Sequence, residues 1–177
     1  MKSWKRNLLG FVAIAIMAHF AFHIGSPYLI MARAMSGIAQ RAGGFNTPLS
    51  TGLPTAASRG IVKPSPDLLY TACAFDIGEG PVLVGGTPSQ VYWSMALYAS
   101  NTDNFFVIND RQAQGNPAFV VIAAARMRDR IPAEQKSLEV VGPPSDKGIV
   151  LFRYLVLDPQ DLAKAEAAQK TAVCRRL

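Results

Sequence analysis

The sequence predicts a mainly β domain, an antiparallel sandwich or barrel-like fold, with an N-terminal transmembrane helix and a C-terminal helix. Residues 8–24 carry no charged side chain. After residue 67, about seven short β-type runs alternate with turn-rich stretches and no long helix separates them, which is typical of sandwiches and barrels. Half of the 177 residues are apolar and 17% are charged, so the chain can bury one substantial core.

Residues 8–32 are predicted to be a retained membrane anchor. The uncharged stretch alone would span about 26 Å at 1.5 Å per residue, and continuing it through Pro27 reaches the roughly 30 Å of a hydrocarbon core. Membrane helices tolerate such a proline. The alternative is a signal peptide cleaved near Ala32-Arg33-Ala34, but that site lies far beyond the apolar core and contains a charge.

The distribution of charge predicts the orientation of this anchor. Residues 1–66 carry seven basic and no acidic side chains, whereas residues 67–177 carry eleven basic and twelve acidic ones. We therefore expect residues 1–7 to be a basic cytoplasmic tail. For a bacterial source, the protein would be a single-pass protein of the inner membrane with residues 67–177 as a periplasmic domain. Because the domain itself lacks excess positive charge, no nucleic-acid partner is expected.

The elements between anchor and C-terminus follow from periodicity and turn residues. Residues 33–66 are predicted as a juxtamembrane helix, continuing or separate, stopped by Gly43-Gly44 and followed by a Pro/Gly-rich connection. Gly78-Glu79-Gly80 indicates a hairpin between the first two strands. Asp158 and Pro159 are typical first residues of a helix, here predicted to run to about residue 170 and to close the domain. The predicted strands are 70–77, 81–84, 91–98, 105–108, 119–123, 138–141 and 149–157.

The scarcity of histidine and cysteine excludes many kinds of site. His19 and His23 lie in the anchor, so the domain has no histidine base or metal ligand, and neither a metal nor a cofactor is expected. The two histidines are one helical turn apart, either near the outer interface or facing a neighbouring helix. Cys73 and Cys174 could form a disulfide in an oxidising compartment, or remain a core residue and a free thiol.

Carboxylates are the remaining candidates for catalysis. Asp67, Asp103 and Asp110 lie near predicted strand ends, and a carboxylate pair about 5–9 Å apart could hydrolyse a glycoside. Extended chain would instead separate Asp103 from Asp110 by over about 20 Å. Asn and Asp side chains in such positions also commonly stabilise turns.

A mixture of aromatic rings and short polar groups, typical of carbohydrate-binding surfaces, suggests a recognition surface. Tyr92 and Tyr98 share one strand face, whereas Trp93 lies on the opposite, predicted core face. Arg153 lies among apolar strand residues and would need a buried carboxylate partner. The candidate ligand- or partner-binding residues are Tyr70, Tyr92, Tyr98, Asn101, Asp103, Asn104, Asn109, Asp110 and Arg111.

Several segments, in order and at these spacings, resemble one protein family. They are the His-containing anchor and Ser65-Pro66-Asp67-Leu68-Leu69-Tyr70, Asp76-Ile77-Gly78-Glu79-Gly80-Pro81, Val91-Tyr92-Trp93-Ser94, Asn101-Thr102-Asp103-Asn104-Phe105-Phe106, Asn109-Asp110-Arg111 and Gly148-Ile149-Val150-Leu151-Phe152-Arg153. Together they resemble the domain-of-unknown-function 1254 family in its short, single-span bacterial form.

This resemblance implies an envelope protein with an all-β domain and no established reaction. It also implies that the protein accompanies a member of the sister family numbered 1214. Larger relatives carry both domains in one chain, and here another polypeptide could supply the 1214 domain. We therefore expect a non-catalytic envelope protein that binds a partner protein or an envelope glycan or lipid. The alternatives are a carboxylate-based hydrolase of envelope polysaccharide and an accessory subunit that joins a membrane complex through His19 and His23.

Overall fold

The chain begins with a single helix that is longer than a membrane is thick. The computed structural model describes residues 2–58 and 64–177, so residues 59–63 of the predicted connection lie outside the described residues. Helix α1 spans Lys2–Ala42 and continues through Pro27 without a break. Its 41 residues extend about 61 Å, roughly twice the thickness of a hydrocarbon core. Gly43, with a φ of 85°, follows its last residue.

Nine strands and two further helices follow α1 within the described ranges. Helix α2 is a single turn, Asp110–Ala113, and α3 spans Pro159–Gln169. Two short helical turns cover Ala125–Arg130 and Ala133–Gln135. The strands are β1 Leu49–Ser50, β2 Leu68–Asp76, β3 Val82–Gly86, β4 Trp93–Ala99, β5 Asn104–Asn109, β6 Ala118–Ile122, β7 Glu139–Val141, β8 Lys147–Leu155 and β9 Val173–Arg176.

The strands form two sheets with the core between them, so the predicted mainly β fold is confirmed. The five-stranded sheet has the order β1-β2-β8-β4-β5, and the four-stranded sheet has the order β7-β6-β3-β9. All pairs are antiparallel except β6 with β7, which is parallel. Side chains of alternate residues on each sheet meet in one cluster, as the alternation of Trp93, Met95 and Leu97 predicts.

The predicted hairpin between the first two strands is wrong, because β2 and β3 lie in different sheets. β2 pairs with β1 and β8, whereas β3 pairs with β6 and β9. Phe75 in β2, Ile77 just after β2, and Val82 and Val84 in β3 all enter the same core. Strands that contribute to one core from opposite sides cannot be hydrogen-bonded neighbours, so the segment around Gly78 crosses between the sheets.

The predicted C-terminal helix is confirmed as α3, but a short strand that was not predicted follows it. Asp158 caps it as predicted, since its side chain accepts hydrogen bonds from the backbone N–H groups of Gln160 (2.7 Å) and Asp161 (2.8 Å). After Gln169 the chain continues into β9, which pairs with β3 at the sheet edge. β9 carries Cys174, and this cysteine is joined to Cys73 of β2 by a disulfide. The bond therefore links the two sheets through the core.

The last turns of α1 pack on the face of the five-stranded sheet that points away from the core, here called the outer face. Met31, Ala34, Met35 and Ala39 are buried there. They contact a row of the sheet formed by Ala74, Ile149 and Tyr98, which are register neighbours on β2, β8 and β4. We call residues 31–39 the docked segment. The membrane-type helix and the sandwich thus share one packed interface.

The close approach of β4 to β8 depends on Gly148. A Cβ atom at this position would lie 2.6 Å from the Phe75 ring and would overlap the carbonyl oxygen of Tyr98. We predict that Gly148→Ala lowers the free energy of unfolding by about 3 kcal/mol, since backbone cannot yield as a flexible side chain does. Urea denaturation monitored by tryptophan fluorescence measures this.

The matched control is Gly142→Ala, where an added Cβ has no atom within 4 Å. This variant should stay within about 0.5 kcal/mol of the parent protein. Equal stability of the two variants would contradict the assigned pairing of β4 with β8.

Candidate functional site

The outer face brings several polar and aromatic side chains into one row. Tyr70 on β2 lies opposite Arg153 on β8, Arg153 lies opposite Ser94 on β4, and Ser94 lies opposite Asn109 on β5. The neighbours of Arg153 and Ser94 along their strands, Phe152 and Met95 among them, point into the core. The row therefore lies on the outer face. We call it the polar row.

The side chain of Arg153 extends along the sheet towards the row of Ala74, Ile149 and Tyr98, which the docked segment covers. Its Nη2 donates a hydrogen bond to the Tyr98 hydroxyl at 3.2 Å. Ala96 lies between Ser94 and Tyr98 on β4 and is fully buried although it belongs to the outer face. Because the Ala96 side chain is small, the Arg153 side chain can extend over it to Tyr98. Arg153 and Tyr98 together can then cover Ala96.

The polar row contains two buried polar atoms without a partner. Neither Arg153 Nε nor Ser94 Oγ makes a hydrogen bond in the described part of the protein, and Ser94 is only 2% exposed. The expected carboxylate partner of Arg153 is therefore wrong: among the described residues, its side chain bonds to the phenol of Tyr98. A partly buried guanidinium without a counter-ion and a buried hydroxyl without a partner both cost free energy.

Three tyrosines lie around Arg153. Tyr70 is its partner on β2, and the Tyr70 hydroxyl accepts a hydrogen bond from the backbone N–H of Ser65 at 3.0 Å. Tyr92 precedes Ser94 by two residues, is 44% exposed and bonds through its carbonyl oxygen to Leu155 N. Tyr98 bonds to the guanidinium. The structure thus brings together Tyr70, Tyr92, Tyr98 and Asn109 of the predicted binding residues.

The other predicted polar residues lie in two turns at opposite ends of β5. In the β4–β5 turn, Asn101 Nδ2 donates to Asp103 Oδ2 at 2.5 Å, and the Asn104 amide donates to the carbonyl oxygen of Leu97. At the other end, the Asn109 side chain accepts from the backbone N–H groups of Arg111 and Gln112 and caps α2. Asp110 and Arg111 belong to that single turn. Their observed contacts are those of turn formation.

The three candidate catalytic carboxylates do not converge. Asp103 and Asp110 lie at opposite ends of β5, about 20 Å apart along an extended strand. Asp67 precedes β2, which is three strands away from β5 in the sheet, a separation of about 14 Å at 4.8 Å per strand. Glycosidase carboxyl pairs are about 5–9.5 Å apart. The geometry therefore gives the hydrolase alternative no support.

A cleft of about 320 Å³ lies between the β3–β4 loop and α3. Lys164 on its wall pairs with Asp161 at 3.6 Å, so this cation is already compensated. Residues 2–58 and 64–177 contain no group of three or more His, Cys, Asp or Glu side chains placed to hold a metal ion. Burial raises the pKa of Tyr154 far above its ordinary value, so its phenol stays protonated.

His19 and His23 lie on one face of the exposed part of α1. Their ring centroids are 5.3 Å apart, in an edge-to-face arrangement. Both rings are exposed in this single chain. A contact with a neighbouring helix stays a prediction.

Comparison with known proteins gives the family. A family model described as "Protein of unknown function (DUF1254)" matches residues 45–176. The chain belongs to the DUF1254 family. No curated protein matches it significantly. The matched DUF1254 region begins just before β1 and ends within β9, so it covers both sheets, the polar row and the disulfide.

Two solved structures are similar to parts of this DUF1254 chain. The VPA0106 protein of Vibrio parahaemolyticus is 19% identical, with a TM-score of 0.57 over 64% of this chain and 28% of that chain. A putative uncharacterized protein from Burkholderia cenocepacia is 18% identical, with a TM-score of 0.44 over 81% of this chain and 38% of that chain. The chain thus spans well under half the length of these proteins. The first match supports the fold and nothing further.

The predicted set of binding residues did not include Arg153 and Ser94. Alternation along residues 149–157 places Arg153 opposite the core-facing Phe152 and Tyr154, which is a usable signal. The pairing of β8 with both β2 and β4 joins segments far apart in the sequence. A single sequence does not specify that pairing, so it could not show which residues surround the arginine.

The buried atoms of the polar row that have no hydrogen-bond partner among the described residues allow a test by protein stability. We predict that Arg153→Met raises the free energy of unfolding of the ligand-free protein by about 1 kcal/mol, because methionine fills the space without an uncompensated charge. Urea midpoints of the two proteins measure this. If Arg153 instead stabilised the fold, its replacement would lower the free energy of unfolding. A decrease of more than about 1 kcal/mol would show that Arg153 serves folding rather than binding.

Proposed function

We propose that this DUF1254 protein is a non-catalytic, single-pass protein of the bacterial cell envelope that binds a ligand on the outer face of its five-stranded sheet. The observation that carries the proposal is the change in surroundings along α1. Large apolar side chains from Leu8 to Ile30 are exposed, whereas Met31, Ala34, Met35 and Ala39 are buried against the sandwich. One helix therefore supplies both a lipid-facing surface and part of the domain.

The exposed part of α1 has the surface of a membrane span. Its apolar side chains are not confined to one stripe, and a helix that is apolar all round needs a lipid or protein environment. Ser3–Ala42 is long and apolar enough to cross a bilayer. Large side chains exposed by 60% or more are Leu9, Phe11, Ile14, Met17, Phe20, Phe22, Ile24 and Leu29.

The docked segment supports retention of the anchor over removal of a signal peptide. Cleavage after Ala34 would remove Met31 and Ala34 from their contacts with the sheet. The sheet row of Ala74 and Ile149 would then lose part of its cover. Burial of a methionine side chain is worth about 1.5–3 kcal/mol, so the domain gains stability from keeping the helix.

The orientation in this proposal follows from charge and sulfur chemistry. The basic residues before the apolar stretch favour a cytoplasmic N-terminus. The bonded pair of Cys73 and Cys174 suits a domain on the oxidising side of the membrane. A protein partner from the sister 1214 family, and a helix contact through His19 and His23, stay predictions.

Two introduced cysteines test topology and anchoring together. Ser137 and Ser3 are both exposed, one in the domain and one at the start of α1. In intact cells with a permeabilised outer membrane, we predict that a membrane-impermeant maleimide labels the Ser137→Cys protein. The Ser3→Cys protein should be labelled only after the inner membrane is opened. Both should stay in the membrane fraction after alkaline extraction.

The reverse labelling pattern would contradict the orientation. Release of a shortened, soluble protein would contradict the retained anchor. The unsubstituted protein is the matched control, because both of its cysteines are in the disulfide.

A further inference from the structure

We infer that the polar row, with the three tyrosines around it, binds a glycan that carries carboxylate groups, with Arg153 as the carboxylate receptor. The inference deepens the proposed function and rests on it. It starts from the guanidinium of Arg153, which bonds to the Tyr98 hydroxyl through Nη2. Its Nε and the neighbouring Ser94 Oγ are buried and have no hydrogen-bond partner among residues 2–58 and 64–177.

The charge of the site matches one carboxylate group. The register of β2, β8, β4 and β5 defines which side chains lie on the outer face. Among the described residues of these strands, Arg153 is the one cation on that face between Leu68 and the row that contains Ala74. Farther along, Lys147 pairs with Asp76 at 3.1 Å. A phosphomonoester would bring almost two negative charges, whereas a carboxylate brings one and fits the planar guanidinium fork.

The surroundings of the guanidinium favour a sugar as the carrier of that carboxylate. Tyr70, Tyr92 and Tyr98 offer aromatic rings and hydroxyl groups, and the C–H face of a pyranose ring packs well on the negative face of an aromatic ring. Tyr92 is exposed enough to stack directly.

The same face is poorly suited to a large protein interface. Ala72, Ala96 and Ser94 are small, and the large apolar side chain exposed in the row next to the arginine is Val107. A standard protein interface buries about 800 Å² per partner, and its centre is more apolar than its rim. A shallow polar strip lined by tyrosines fits a chain of sugar rings better.

The experiment uses the full chain in nanodiscs of phosphatidylcholine, titrated by calorimetry with trigalacturonate. Its methyl ester is the neutral probe. We expect saturable binding of trigalacturonate, at least tenfold weaker binding of the ester, and a tenfold or greater loss in Arg153→Met. Arg153→Lys should retain part of the affinity, because it keeps the charge but not the fork.

Arg128→Met is the matched control, because Arg128 is an exposed arginine in the Ala125–Arg130 turn, outside the polar row. It should bind like the parent protein. Tyr92→Ala should weaken the binding of both probes, as loss of a stacking surface affects the sugar rings and not the carboxylate.

Three results would overturn the inference. Equal binding of trigalacturonate and its ester, with no effect of Arg153→Met, would indicate a neutral glycan and leave the proposed function standing. Arg153-dependent binding of an acidic peptide or of phosphatidylglycerol nanodiscs, without binding of trigalacturonate, would reassign the site to a protein or a lipid. Trigalacturonate binding that is insensitive to both Arg153→Met and Tyr92→Ala would place the ligand elsewhere, against the proposed surface as well.

Discussion

The packing of the last turns of α1 on the five-stranded sheet is the interaction on which the rest of the molecule depends. Met31, Met35 and Ala39 cover the row that contains Ala74 and Ile149. Without that cover, two apolar positions at the middle of an otherwise complete sheet would face water. With it, a helix about twice as long as a hydrocarbon core is thick becomes a fixed support. The sandwich cannot rotate freely about a linker, and its outer face stays beside the helix.

This constraint also explains the environment of Arg153. Tyr98 belongs to the row that the docked segment covers, and its hydroxyl holds the guanidinium across Ala96. The helix thus fixes the tyrosine, and the tyrosine positions the arginine. In the described part of the chain no carboxylate pairs with the arginine, and the ion pair of Asp76 and Lys147 lies at the far end of the strands. Buried polar atoms without partners cost free energy at this place on the surface, which agrees with the proposed ligand site.

The sequence predicted local features well, because they depend on neighbouring residues. The alternation of Trp93, Met95 and Leu97, the cap at Asp158 and the end of α1 at Gly43 each need only a few residues of context. The pairing of strands was less accessible. Gly78-Glu79-Gly80 forms a turn in either a hairpin or a crossing between sheets, and only the pairing of β2 with β8 and of β3 with β6 decides between them. β9 escaped prediction because four residues at the end of a chain carry too little pattern. The tyrosines of the site were predicted from the sequence. The importance of Arg153 follows only from the pairing of strands that are far apart in the sequence.

Hydrogen exchange of the full chain in nanodiscs tests the docked segment most directly. Residues 36–39 of the docked segment lie beyond the exposed apolar part of α1, so lipid does not protect their amides. If they are packed on the sheet, their amides exchange as slowly as those in the middle of β2 and β8, with free energies of opening of several kcal/mol. Exchange within seconds at residues 36–39, while β2 and β8 stay protected, would contradict a helix built into the domain.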